Sequence, residues 1–158
     1  MKLGKDTEYQ TKVYNDLKQL KKDDPLVAQI ITDLENSENI HEISMPEKGN
    51  DNYTIIDGDK WENKIPHGTT IKYNPYSTIA NRKNVIKTVR IPRVGLSHEL
   101  SHSNDADKGI GDSKKVKING IYLSDIKAVN IENRIRLVTG DSKRTTYAGR
   151  KIPKELLE

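Results

Sequence analysis

The chain has 158 residues, no cysteine, no phenylalanine and one tryptophan, with 33% of it apolar and 32% charged. This composition predicts one domain spanning 1–158, with a core of Ile, Leu, Val and Tyr. It excludes disulfides and thiolate metal sites, and with them zinc ribbons and Cys/His fingers. Residues 1–80 hold 10 basic and 14 acidic side chains and residues 81–158 hold 17 and 9, so the net charge of +4 conceals a strongly basic second half.

In chain order, residues 7–22 read as a helix capped by Thr7, with Tyr9, Val13, Leu17 and Leu20 on one stripe. Asp24-Pro25 is an N-cap and first helical residue for a second helix to Asn36, its stripe being Leu26, Ile30 and Leu34. Strands are expected at His41–Met45, Tyr53–Ile56 and Thr69–Tyr73, the first two joined through the turn-rich stretch from Pro46 to Asp51. Val85–Ile91 reads as a fourth strand. Pro92 then opens a helix of about three turns, with Asn104 and Gly109 as stop signals. Gly95 weakens that helix, so its presence implies close packing against a neighbour. Lys115–Tyr122 holds Asn119-Gly120, a hairpin signal. A last helix, capped by Ser124, runs from Asp125 to Val138 and closes at Gly140.

Within the Pro92 helix, residues 98–102 read His98-Glu99-Leu100-Ser101-His102. Residues four apart on a helix share a face, so both imidazoles can reach one metal with Glu99 beside them. Two neutral nitrogen ligands and a general base for a metal-bound water are the equipment of a zinc peptidase. A catalytic zinc takes a third protein ligand. A histidine six residues after His102 would mark one subclass, but that position is Lys108. Asp105 could bind only if the helix continues past it. The last helix offers Asp125 and Glu132, seven residues apart on one face with Ala128 and Val129 between them. One carboxylate can ligate while the other holds a histidine ring in place; Glu132 is preferred as ligand, with Asp125 the alternative. Tyr147 and Arg144 are candidate donors to an oxyanion.

Tyr73-Asn74-Pro75, Gly95-Leu96-Ser97 running into the histidine motif, Glu132-Asn133-x-x-Arg136 and Arg144-x-x-Tyr147 occur in this order. The set resembles the NleD-like effector and toxin metallopeptidases of bacteria, over roughly residues 69–147; residues 1–65 lie outside it. The resemblance implies an α+β zincin fold, a small sheet with an active-site helix and a closing C-terminal helix. It implies a zinc endopeptidase that cleaves a target-cell protein, with His98, His102 and Glu132 on Zn2+ and Glu99 as base. Members commonly have alanine where this chain has Ser103.

The expected partners are a protein or peptide substrate and an immunity or inhibitor protein. No apolar run approaches the ~18–20 residues of a membrane span. The start, Met1-Lys2-Leu3-Gly4-Lys5-Asp6, has no apolar signal stretch. Secretion or translocation by a route without a cleaved signal peptide is therefore expected, or otherwise a cytoplasmic location. Two other functions are open on the residues. One is a non-catalytic binding module around a structural metal, which needs a fourth ligand such as His41 or His67. The other is a nucleic-acid-binding toxin domain using the basic second half. The cations Arg82, Lys83, Lys87, Arg90 and Arg93 have few aromatics among them, so nucleic acid is not expected, and an acidic protein segment suits them better.

Overall fold

Asp6 and Asp24 set the entry of the first two helices in the computed structural model, which describes residues 1–3, 6–48, 51–78 and 90–158. The Asp6 carboxylate accepts from the Tyr9 amide at 2.9 Å, so Asp6 caps α1 (Thr7–Asp23) and Thr7 is its first helical residue. Asp24 accepts from the amides of Leu26 and Val27 at 2.9 and 3.1 Å and starts α2 (Pro25–Asn36). α1 buries the stripe expected of it. α2 is rotated by one residue, burying Val27, Ile30, Ile31 and Leu34 and leaving Leu26 exposed. A stripe of Val, Ile, Ile and Leu puts more apolar surface into the core than one built on Leu26, Ile30 and Leu34.

Four strands form one sheet. β1 (Lys2–Leu3), β2 (His41–Ser44) and β4 (Thr69–Lys72) are parallel, and β3 (Tyr53–Ile55) pairs antiparallel with β4. The spatial order is β1-β2-β4-β3, which makes β3 an edge among the described residues. β1 is too short to show an alternating pattern, and sequence reasoning missed it. It also missed α3 (Gly58–Glu62), one turn capped by Asp57, which buries Trp61. The Val85–Ile91 strand expected from sequence falls on residues 79–89, outside the described residues; Arg90 and Ile91 are not in a strand.

α4 (Pro92–Lys108) is longer than expected, so the histidine motif lies in its middle. From Val94 to Ala106 every residue but His102 is buried. It stops at Gly109, whose φ of 62° is a left-handed C-cap that favours glycine. The hairpin β5 (Lys117–Ile118) and β6 (Ile121–Tyr122) turns at Asn119-Gly120, both at positive φ as a tight I′-type turn requires. α5 (Leu123–Thr139) follows directly. Tyr122 takes its cap position without a side-chain hydrogen bond, and Ser124 lies inside the first turn. A second hairpin, β7 (Thr146–Tyr147) and β8 (Arg150–Lys151), turns at Ala148-Gly149, also both at positive φ. Alanine is not a turn signature, which hid this hairpin from the sequence.

The main core joins α1, α2, β2, β4, α4 and the second half of α5 through residues such as Leu20, Ile31, Ile43, Ile71, Leu100 and Ile135. A smaller cluster of Ile121, Ile126, Val129 and Ile152 packs the first half of α5 against both hairpins, with Tyr147 against it. Among the described residues no helix is long and apolar enough to cross a membrane.

The Asp24 cap also binds α5, because Arg134 Nε donates to both its carboxylate oxygens at 3.0 Å. Burial pushes the Asp24 carboxyl up, but the hydrogen bonds from Arg134, Val27 and Leu26 outweigh it and hold the group below its ordinary value. Its stabilising contribution is therefore complete above the unfolded carboxyl pKa and is lost as pH falls through the folded one. Asp24→Ala should lower stability by about 1–2 kcal/mol at pH 7. Urea unfolding of both proteins should show that difference shrinking at pH 3.

Candidate metal centre

The centre is assembled where α4 and α5 pack. His98 and His102 lie one turn apart on α4, their ring centroids separated by 5.1 Å. Asp125, in the first turn of α5, completes a cluster whose three donor atoms all lie within 4.8 Å of one another. His102 Nε2 is 3.3 Å from Asp125 Oδ1. Donors bound tetrahedrally at about 2.0–2.1 Å lie about 3.3–3.4 Å apart, so this pair is spaced as two ligands of one ion would be. These three residues could hold a metal ion. Burial depresses the His102 pKa, but the hydrogen bond with Asp125 and the charges of Glu99 and Asp125 raise it on balance. Burial raises the Asp125 carboxyl, and hydrogen bonding to His102, the nearby imidazoles and the Tyr147 hydroxyl lower it on balance. Each group thus favours the charge of the other, and a bound cation would take over the role of the imidazolium.

Glu132 is used differently. Its side chain is 0% exposed, and its Oε2 accepts from His98 Nδ1 at 3.0 Å. That bond makes Nδ1 the protonated nitrogen and leaves the Nε2 lone pair of His98 for a ligand. Arg144 Nη1 donates to the same oxygen at 2.9 Å, Arg136 grips Oε1 at 2.7 and 3.0 Å, and Arg90 lies 3.5 Å from Oε1. Burial alone would raise the Glu132 pKa. The His98 hydrogen bond and the charges of Arg144, His98 and Arg90 reverse this and hold it far below the carboxylate range. The expected roles of the two α5 carboxylates are thus exchanged in position: Asp125 stands in the three-residue cluster, and Glu132 orients His98 from behind. Both lie on one helical face, and sequence alone could not say which end of that face meets the histidine turn.

The spaced motifs acquire physical meaning here. Asn133 clamps the backbone of Arg144, donating to its carbonyl at 2.9 Å and accepting from its amide at 2.7 Å. This fixes the approach to β7, where the Tyr147 ring stacks on His98 with centroids 5.8 Å apart and planes 2° from parallel. The Arg144 guanidinium lies over the Tyr147 ring, 5.1 Å from its centroid. Glu99 is buried on the sheet side of α4. Thr54 of β3 donates to Glu99 Oε2 at 2.7 Å, a positioning contact that no sequence motif signalled.

The other candidates are engaged elsewhere. α4 does continue past Asp105, but that carboxylate pairs with Lys127 of α5. His41 bonds Thr69 and Asp107 at 2.9 and 3.0 Å, and Ser103 joins this network through Thr69 at 2.7 Å. Ser103 is therefore a polar link between α4 and the sheet. His67 Nδ1 donates to the Ile65 carbonyl at 2.8 Å. Among the described residues neither histidine belongs to the metal cluster, so no fourth ligand closes it. Of the basic run, Arg82, Lys83 and Lys87 lie outside the described residues, while Arg93 pairs with Asp23 at 2.7 Å and Arg90 turns toward Glu132.

Comparison with protein-family models, curated proteins and solved structures returned no match.

Removing the buried Glu132 charge leaves three guanidinium groups sharing no carboxylate. Glu132→Gln should cost about 3–5 kcal/mol, as breaking a buried ion pair does. Asp125→Asn, in the metal-free chain, should cost clearly less, because Asp125 is partly exposed. Urea unfolding in the presence of a chelator compares the two directly.

Proposed function

We propose that this chain is a zinc-dependent endopeptidase of zincin type, an effector or toxin module acting on a protein of a target cell. The observation that carries the reading is the convergence of His98, His102 and Asp125 with a buried, hydroxyl-bound Glu99 on the same helix. An open three-ligand set suits a catalytic metal better than a structural one, which is closed by four protein ligands. Neutral imidazole nitrogens and one carboxylate suit Zn2+, and the Glu132 bond to His98 is the outer support such ligands commonly have. Bound there, zinc would supply Lewis acidity and lower the pKa of a coordinated water.

The chain's own residues then have separable tasks. Glu99 takes the proton of the attacking water and returns it to the leaving amine. Thr54, bonded to Oε2, keeps that carboxylate in one rotamer. Tyr147, stacked on His98 and hydrogen-bonded to Asp125, would donate to the oxyanion that forms on the scissile carbonyl. Arg144 assists by holding Glu132 and packing on the Tyr147 ring. Among the described residues β3 is an edge strand carrying Thr54, so an extended peptide pairing with it would pass beside Glu99. The resemblance over residues 69–147 supports the same class of activity.

Elemental analysis should find about one zinc per chain, and little in His98→Ala or His102→Ala. Asp125→Ala should weaken zinc binding more than Glu132→Gln, whose outer-support role is worth about 10–100-fold. Zinc retention by Asp125→Ala together with loss by Glu132→Gln would reverse the two roles.

Glu99→Gln should keep zinc and fold yet lose cleavage of a peptide library by at least about 100-fold. Near-normal turnover by that variant would reject the mechanism.

A further inference from the structure

Arg90 has little to neutralise it. Its side chain is 13% exposed, and its one ion pair among the described residues, with Glu132 at 3.5 Å, is longer than a hydrogen bond. Glu132 is already bonded by Arg136, Arg144 and His98. Every Asp and Glu of the sequence lies among the described residues, and residues 79–91 contain none. No carboxylate elsewhere in the chain is therefore held in reserve for Arg90. Burial disfavours its charge first of all, Glu132 and Glu99 favour it, and Arg144 and Arg136 oppose it.

Gly95 explains how Arg90 is held. A Cβ at Gly95 would lie 2.7 Å from Arg90 Nη2 and 2.7 Å from Asn52 Nδ2. The close neighbour that the glycine implied is thus a pair of side-chain ends lying together on the bare backbone of α4. Asn52 Oδ1 accepts from the Asn74 amide at 2.9 Å, which fixes the side-chain amide with its NH2 group over Gly95. Among the described residues that NH2 has no acceptor in the structure. A guanidinium end and an amide NH2 that both lie 2.7 Å from one point over Gly95 are a donor pair suited to an oxyanion. Asn52 directly precedes β3, whose Thr54 binds Glu99, so the pair stands at the start of the edge strand beside the metal centre.

We propose that Arg90 and Asn52 form a carboxylate-binding site that anchors the bound peptide next to the metal centre. The ligand is a carboxylate, supplied by an acidic side chain of the peptide or by its free C-terminus; that the ligand is a peptide rests on the peptidase reading. Arg90 selects the charge, Asn52 supplies the second donor, and Gly95 leaves room for both.

The test has a binding arm and a cleavage arm. In the binding arm, acetate is titrated against chloride at constant ionic strength, with and without zinc, and the arginine Nε–Hε NMR signals are followed. A saturable, acetate-specific shift of the Arg90 signal is expected, weakened in Asn52→Ala and in Gly95→Ala, which displaces Arg90 without removing its charge. In the cleavage arm, zinc-loaded protein meets amidated peptides with one internal Glu or Gln, and acid-free peptides with a free or amidated C-terminus. Arg90→Gln should reduce the preference for the carboxylate member of one pair by about 10–100-fold, as loss of a charged hydrogen bond does. Loss in the first pair assigns the carboxylate to a side chain, and loss in the second assigns it to the C-terminus. An Arg90 signal indifferent to acetate, or equal preference in wild type and Arg90→Gln, overturns the site. An acetate-specific shift in a protein that cleaves no peptide leaves the site standing and removes the peptidase reading instead.

Discussion

A carboxylate that is 0% exposed must be compensated where it stands, and the Glu132 side chain is such a group. Its desolvation alone would cost several kcal/mol, a large share of the net stability of a domain. The compensation comes from four directions. Arg136 comes from the next turn of α5, Arg144 from the segment leading to β7, His98 from α4 and Arg90 from the approach to α4. Because all four must arrive together, one buried charge fixes how α5 lies on α4. It also fixes where β7 returns and which His98 nitrogen carries a proton. The cluster of His98, His102 and Asp125 inherits its geometry from this arrangement.

The same logic runs along α4. A helix buried on nearly every side is ordinarily apolar, whereas this one carries Ser97, His98, Glu99, Ser101, Ser103, Asn104 and Asp105 in its buried stretch. Most of these have a matched partner on a different element. Glu99 bonds Thr54 on β3, Ser103 bonds Thr69 on β4, Asp105 pairs with Lys127 on α5, and His98 bonds Glu132. Val94, Leu96 and Leu100 point into the main core. Polar matching gives up some burial energy for a unique orientation of the helix, which is what a site needing sub-ångström placement of two imidazoles and a carboxylate requires.

The molecule thus separates support from chemistry. The main core of α1, α2 and the sheet holds the back of α4, and the smaller cluster under the two hairpins holds Tyr147 and the start of α5 against its front. Around this packing stand Glu99, bonded to Thr54 of the sheet, Tyr147, stacked on His98, Asp125, 3.3 Å from His102, and Arg90, 3.5 Å from Glu132. On the peptidase reading these four supply a base, a ligand, an oxyanion donor and a charge reader from four separate segments of chain.

Sequence alone determined the elements with strong local signals. Pro25 after Asp24, Pro92 before an uninterrupted run, Gly109 and Gly140 at helix ends, and Asn119-Gly120 at a turn all act through the backbone of their own neighbours. The pairing of His98 with His102 was equally legible, since a helix places residues four apart on one face whatever surrounds it. Elements of two residues such as β1, or a hairpin turning on Ala148, carry too little pattern to read. Ser124 looked like a cap because capping residues are common in turns as well. The division of labour between Asp125 and Glu132 lay beyond the sequence, because it depends on how far α5 is displaced along α4. That displacement is decided by His98, Arg90 and Arg144 converging on one carboxylate. The partners of Glu99 and Gly95 lay beyond it too, because Thr54, Asn52 and Arg90 are distant or unpatterned in the chain, and only the packing of β3 beside α4 brings them to the site.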